Sequence, residues 1–196
     1  MGLIPVPPGH VAAIVTHLEM RTRPAMRPPQ SPSLTLVRWT APAPDAYRAL
    51  FKRVGAPWLW FSRLLLSDAA LGAIIGHADV EVHVVRDPAG DDVGLVELDF
   101  RLAPDCEISF FGLIPECAGA GHGRWMMAET LALAWRPGIE RVWVHTCTLD
   151  HASALGFYRA QGFVAYARSV ETFADPRLSG ALPADAAPQV PLVTRR

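Results

Sequence analysis

The spacing of hydrophobic and polar positions changes several times between residues 33 and 173. "SLTLVRWT" (33–40) carries the branched and aromatic content of a strand. "APDAYRALFKRVG" (43–55) sets its apolar residues at helical spacing and ends on a glycine stop. "SDAALGAIIGHA" (67–78) opens with an N-cap pair and predicts a second, weaker helix. "VEVHVVRD" (80–87) turns through "PAGDD" into "VGLVELDFRL" (93–102), a hairpin with clear alternation. "CEISFFGLI" (106–114) is a further strand, and Arg124 to Trp135 form an Ala-, Met- and Leu-rich helix stopped at "RPG". "RVWVHTCTL" (141–149) predicts a strand, "HASALGFYRAQ" (151–161) a helix closed by Gly162, and "FVAYARSVETF" (163–173) a last strand. Strand, two helices, a run of antiparallel strands, then helix–strand–helix–strand predicts an α/β fold with a mixed, mostly antiparallel twisted sheet flanked by helices.

Proline sets off both ends. Residues 1–32 carry seven prolines around "HVAAIVTHLEM", which reads as a short helix or strand, and residues 174–196 carry four. Both ends are expected as irregular segments over or beside a core domain of residues 33–173. The 196 residues suit one domain, 51% hydrophobic and 19% charged, which is a globular composition. A net charge of −1 gives no basic excess for nucleic acid, and no apolar run approaches the roughly 18 residues of a membrane span. The N-terminus lacks a basic leader region, and Val6 stands where a myristoylation signal needs Ser or Thr. Cys106, Cys117 and Cys147 show no framework spacing, which favours free thiols in a reducing compartment. These features predict a cytoplasmic protein with no nucleic-acid or membrane partner.

The candidate chemistry centres on "CAGAGHGRWMM" (117–127), where Gly119, Gly121 and Gly123 run straight into a helix. The first turn of a helix leaves N–H groups without intrahelical partners, and the helix dipole adds partial positive charge there. Glycines let those N–H groups converge on a phosphate without a Cβ in the way. A dinucleotide fingerprint is excluded because Met126 occupies its last glycine position, and a Walker A loop because Gly-Lys-Ser/Thr is absent. Anion cradle and simple turn both remain open on the spacing alone. "HTCTLDH" offers His145, Cys147, Asp150 and His151, but matches no zinc spacing, so no metal is expected. Asp150 reads instead as the N-cap of the next helix, and His145 as a packed or water-linked strand residue.

Two motifs in order carry a resemblance. "FFGLIPECAGAGHGRWMMAE" resembles the acetyl-coenzyme A loop of the GNAT superfamily of N-acetyltransferases, with Ala118, Gly121 and Gly123 at the motif positions. "LDHASALGFYRAQGF" resembles the element after the next strand, supplying Ala154, Tyr158, Gly162 and Phe163. The likeness spans about residues 33 to 173 and departs at two points. Ala118 replaces an Arg or Gln, and His151 an Asn. The resemblance implies a GNAT fold with splayed central strands that transfers acetyl from acetyl-coenzyme A to an amine. It also implies that the backbone groups of Phe111 and Leu113 hold the pantetheine arm, with the Leu113 N–H polarising the thioester. The pyrophosphate would lie on Gly119, Gly121, His122, Gly123 and Arg124, with Arg124 restoring charge lost at Ala118. His151 would replace the hydrogen bond of the usual Asn. Tyr158 would protonate the leaving thiolate.

Glu107, six residues before Leu113, is the candidate base, near where histone-type members carry a glutamate. Glu97 and Asp99 are rivals, although a solvated strand face also accounts for both. In "APWLWFSRL" (56–64), Trp58, Trp60 and Phe61 either line an acceptor pocket or close the core, and Arg63 offers a carboxylate contact. Trp125, Trp135 and Trp143 read as core. The acceptor is expected to be a small-molecule or peptide amine, and a homodimer is common in such proteins. The alternative is a non-catalytic acyl-coenzyme A-binding module with a relaxed site.

Overall fold

The alternating segments pair into one open seven-stranded sheet in the computed structural model, which describes residues 2–25, 33–117 and 119–194. The strands are β1 (His10–Met20), β2 (Thr35–Arg38), β3 (Val80–Arg86), β4 (Asp92–Asp99), β5 (Asp105–Leu113), β6 (Arg141–Cys147) and β7 (Val164–Ala174). Their order is β2-β3-β4-β5-β6-β1-β7, antiparallel throughout except for β5 and β6. The helices are α1 (Pro44–Gly55), α2 (Asp68–Ile75), α3 (His122–Ala134) and α4 (Ala154–Ala160). This is the mixed, helix-flanked sheet that the sequence predicts.

The main difference lies at the N-terminus. "HVAAIVTHLEM" does not lie over the core; it is β1, paired to β6 on one side and β7 on the other. Its period of two explains this, since Val11, Ala13 and Val15 are buried on one face and Leu18 and Met20 on the other. Residues 175–194, by contrast, pack without regular structure. Leu182 and Ala187 cluster with Val11 and Leu59. Arg177, ion-paired to Asp175 at 2.7 Å, donates to the carbonyls of Ala186 and Val190. Gln189 ties the segment to the Pro57 carbonyl at 2.7 Å.

Successive side chains of β5 divide the core into two layers. Phe110 packs on Phe51 of α1 and on Trp60, whereas Phe111 meets Phe157 and Tyr158 of α4. The α1 layer buries Tyr47, Leu50, Phe51 and Val54, and the α3 layer buries Met126, Met127 and Leu131. Each such side chain contributes about 1.5–3 kcal/mol when fully buried. Trp125 and Trp135 join this core, but Trp143 is only half-buried, beside His145.

Glu97 does not sit on a solvated strand face. It is fully buried, accepting from the Tyr47 hydroxyl at 2.5 Å and the Arg63 guanidinium at 2.6 Å. Burial, with the Glu97 charge beside it, pushes the Tyr47 hydroxyl well above the ordinary phenol range. Asp99, on the same face, is partly exposed and bridged to Arg101. The Glu97 carboxylate therefore anchors the 56–66 loop to the sheet through Arg63. Arg63→Met should destabilise the protein by about 3–5 kcal/mol in urea unfolding, because it strands a buried charge. Replacing all three partners (R63M, E97M, Y47F) should recover most of that loss. A single variant within 1 kcal/mol of the parent would sink this account.

Candidate active site

Parallel pairing of β5 with β6 covers only Asp105–Glu107 against Arg141–Trp143. Beyond Glu107 the two strands part. A bulge at Ser109 accompanies this separation, since Glu97 pairs with Phe110 and Leu98 with Ile108. Such an extra residue bends its strand and increases its twist. The Ile114 N–H bonds the Val93 carbonyl at 2.9 Å, which fixes the alternation along β5. By that alternation, the N–H and C=O groups of Phe111 and Leu113 point away from β4, into the gap.

The glycine loop stands at one end of the gap. Gly119 and Gly121 adopt φ of +82° and +81°, the left-handed region that side chains disfavour. A Cβ at either would meet open space, so backbone conformation rather than room requires glycine here. Gly121 is the N-cap of α3 and lacks a capping side chain, leaving first-turn N–H groups available. Gly119, Gly121, Gly123 and Arg124 all line the cleft, whereas His122 is half-buried and outside it. Ala118 lies outside the described residues.

The cleft is about 860 Å³ and connects the two layers through the splay. On the α3–α4 side, Tyr158 is buried beneath Phe111, and its hydroxyl has no hydrogen-bond partner among the described residues. Burial, then the nearby Asp150 charge, pushes that hydroxyl well above the ordinary phenol range. On the α1 side, Glu107 meets the Nδ1 of His145 at 3.5 Å. The Glu107 carboxylate holds the His145 imidazole above its usual pKa, against the opposing effect of burial.

The aromatic loop lines the cleft as well as packing the core. Trp60 covers Phe110 and Phe51 and donates to Asp150 at 3.4 Å. Trp58 meets the His151 ring edge-on at 5.4 Å, and Phe61 stacks on Phe173 of β7 at 4.2 Å. Arg63 also lines the cleft, with its guanidinium engaged by Glu97.

Asp150 is not an N-cap, because α4 begins only at Ala154. Its carboxylate instead accepts from the Thr146 hydroxyl at 2.7 Å and the Cys147 N–H at 2.8 Å, closing the end of β6. His151 bonds the Ser153 hydroxyl at 2.8 Å and remains exposed at the cleft mouth. Sequence reasoning set His145 aside and did not weigh Glu171 or Phe173. All three line the cleft, and for His145 the two-residue spacing from Trp143 on a splayed strand was the available signal. No group of three or more metal-ligating side chains gathers among the described residues, and none of their helices is long and apolar enough to cross a membrane.

The acetyltransferase (GNAT) family model matches residues 35–163. The fold is similar to a GCN5-related N-acetyltransferase from Sphaerobacter thermophilus (15% identity, TM-score 0.58, covering 86% of this chain and 52% of that one). It is also similar to one from Kribbella flavida (18%, TM-score 0.55, 88% and 63%). A tandem GNAT protein from the clavulanic acid biosynthesis pathway has the same fold (18%, TM-score 0.56, 82% and 53%). The chain thus spans between about half and two thirds of the length of these structures. No curated protein matches the sequence. With the family model covering most of the sheet and both halves of the splayed cleft, the chain belongs to the GNAT acetyltransferase family.

Proposed function

We propose that this protein transfers the acetyl group of acetyl-coenzyme A directly to an amine in the splayed cleft. The observation that carries this reading is the convergence, on one cleft, of unpaired β5 backbone, left-handed loop glycines and a buried tyrosine. The family uses acetyl-coenzyme A as co-substrate, and the residues present suit it. The first-turn N–H groups after Gly121, with Arg124, would take the pyrophosphate. The Phe111 and Leu113 backbone would add to the pantetheine arm as a further strand does, and the Leu113 N–H would polarise the thioester carbonyl.

The donor would approach from the α3–α4 side and the acceptor from the α1 side. A free alkylamine has a pKa of about 10.4 and must shed a proton to attack. The Glu107–His145 pair is proposed to accept it, with the carboxylate orienting the imidazole and raising its basicity. As the C–N bond forms and the C–S bond breaks, Tyr158 would supply a proton to the departing sulfur. Its burial keeps the hydroxyl protonated throughout the working range. Burial pushes the Cys147 thiol up to about 11, which disfavours a thiolate nucleophile and supports direct transfer.

Tyr158→Phe should lower kcat by about 10²–10⁴ while leaving coenzyme affinity within a few-fold. An unchanged kcat in a thiol-release assay would remove Tyr158 from the chemistry, whereas a parent without any turnover would favour a binding module over an enzyme. The pH profile provides a second check. His145 has a raised pKa in the folded state, so its pairing stabilises the protein below about 6.5 and is lost as pH rises through the raised value. Activity should rise across that same window as the imidazole loses its proton. Glu107→Gln should move the ascending limb of kcat/KM to lower pH and lower its plateau. A limb that stays in place would dissociate the pair from proton uptake.

A further inference from the structure

The charged lining at the acceptor end of the cleft is mostly spoken for. Arg63 is neutralised by buried Glu97, and Arg101 by Asp99 at 2.5 Å. Asp150 accepts from Thr146, the Cys147 N–H and Trp60. Glu107 has His145. The exception is Glu171 on β7, an exposed carboxylate that lines the cleft and makes no hydrogen bond or ion pair among the described residues.

Its neighbourhood is specific. Glu171 and Phe173 are two apart on β7, hence on one face, and Phe61 lies flat on Phe173 with ring centroids 4.2 Å apart. An uncommitted carboxylate beside an aromatic stack is a site for an organic cation, which gains from both the charge and the ring faces. Two strands, β6 and β1, lie between Glu171 and Glu107, and β1 alone lies between Glu171 and His145, whose imidazole pKa is raised by the Glu171 charge after that of Glu107. At about 4.8 Å per strand, the two acidic points of the cleft serve two different groups of one molecule.

Resting on the acetyl-transfer reading above, we propose that the acceptor is a small diamine. Its reacting amine lies at Glu107 and His145, and its second cationic group is held by Glu171 against the Phe61–Phe173 stack. Glu171 is then a specificity-determining residue: it selects the acceptor and takes no part in bond making.

The test is a thiol-release assay with α,ω-diamines of graded chain length against monoamines of equal length, at saturating acetyl-coenzyme A. The diamines should be favoured in kcat/KM by about tenfold or more at an optimal length, as expected for one charge-assisted contact. Glu171→Gln should bring that preference close to one. Glu171→Arg should invert it, favouring ω-amino acids over diamines. Both variants should melt with the parent, because position 171 is exposed. Turnover of monoamines and diamines at equal efficiency, or a preference that survives Glu171→Gln, would overturn the assignment while leaving acetyl transfer intact. Absence of thiol release with every amine would instead overturn the acetyl-transfer reading on which it rests.

Discussion

The site depends on an interruption in hydrogen bonding. Two parallel strands that paired along their whole length would leave no backbone free and no passage through the sheet. Here β5 and β6 pair over three residues and then part. The released N–H and C=O groups need partners, because unpaired backbone polar groups are costly when shielded from water. Such an edge is suited to a ligand that carries its own amides, which is the chemistry of a pantetheine arm. The same separation lets Tyr158 from one layer and Glu107 from the other face a single cleft.

Precision at the splay is supplied from outside it. Glu97, buried on β4, reaches Arg63 and so fixes the aromatic loop over Gly112, where a Cβ would meet Val54 and Trp60. Farther along, the 175–194 segment packs Leu182 and Ala187 against Leu59, while Gln189 holds the Pro57 carbonyl. The α1 side of the cleft is thus braced from the sheet and from the C-terminal segment. The α3–α4 side depends more on local conformation, through two left-handed glycines and a helix N-terminus.

Much of this was legible in the sequence, for local reasons. Gly119 and Gly121 announced the loop because few other residues tolerate that backbone, and alternation announced β3, β4 and β5. Glu97 was misread because alternation gives a face without saying what covers it, and here the cover is a tyrosine and an arginine from distant segments. Asp150 was misread because an acid before a helix has two uses, and a strand end drew it back. His145 gained its meaning only when Glu107 was brought beside it from another strand. Pairings of this kind are set by register, which single-segment patterns do not encode.

The position of β1 carries a consequence for how the chain is made. It precedes every other strand, yet its partners are the two strands that come last in order: Ile14 bonds Thr148 across 134 positions and His17 bonds Ser169 across 152. Closing loops of that length precedes any reward from the contacts they bring, so this half of the sheet is expected to assemble late and slowly. Until then "AAIV" and its neighbours form an apolar strand with two open edges, the type of segment on which nascent chains aggregate. The cleft therefore has no second wall until β6 and β7 are available.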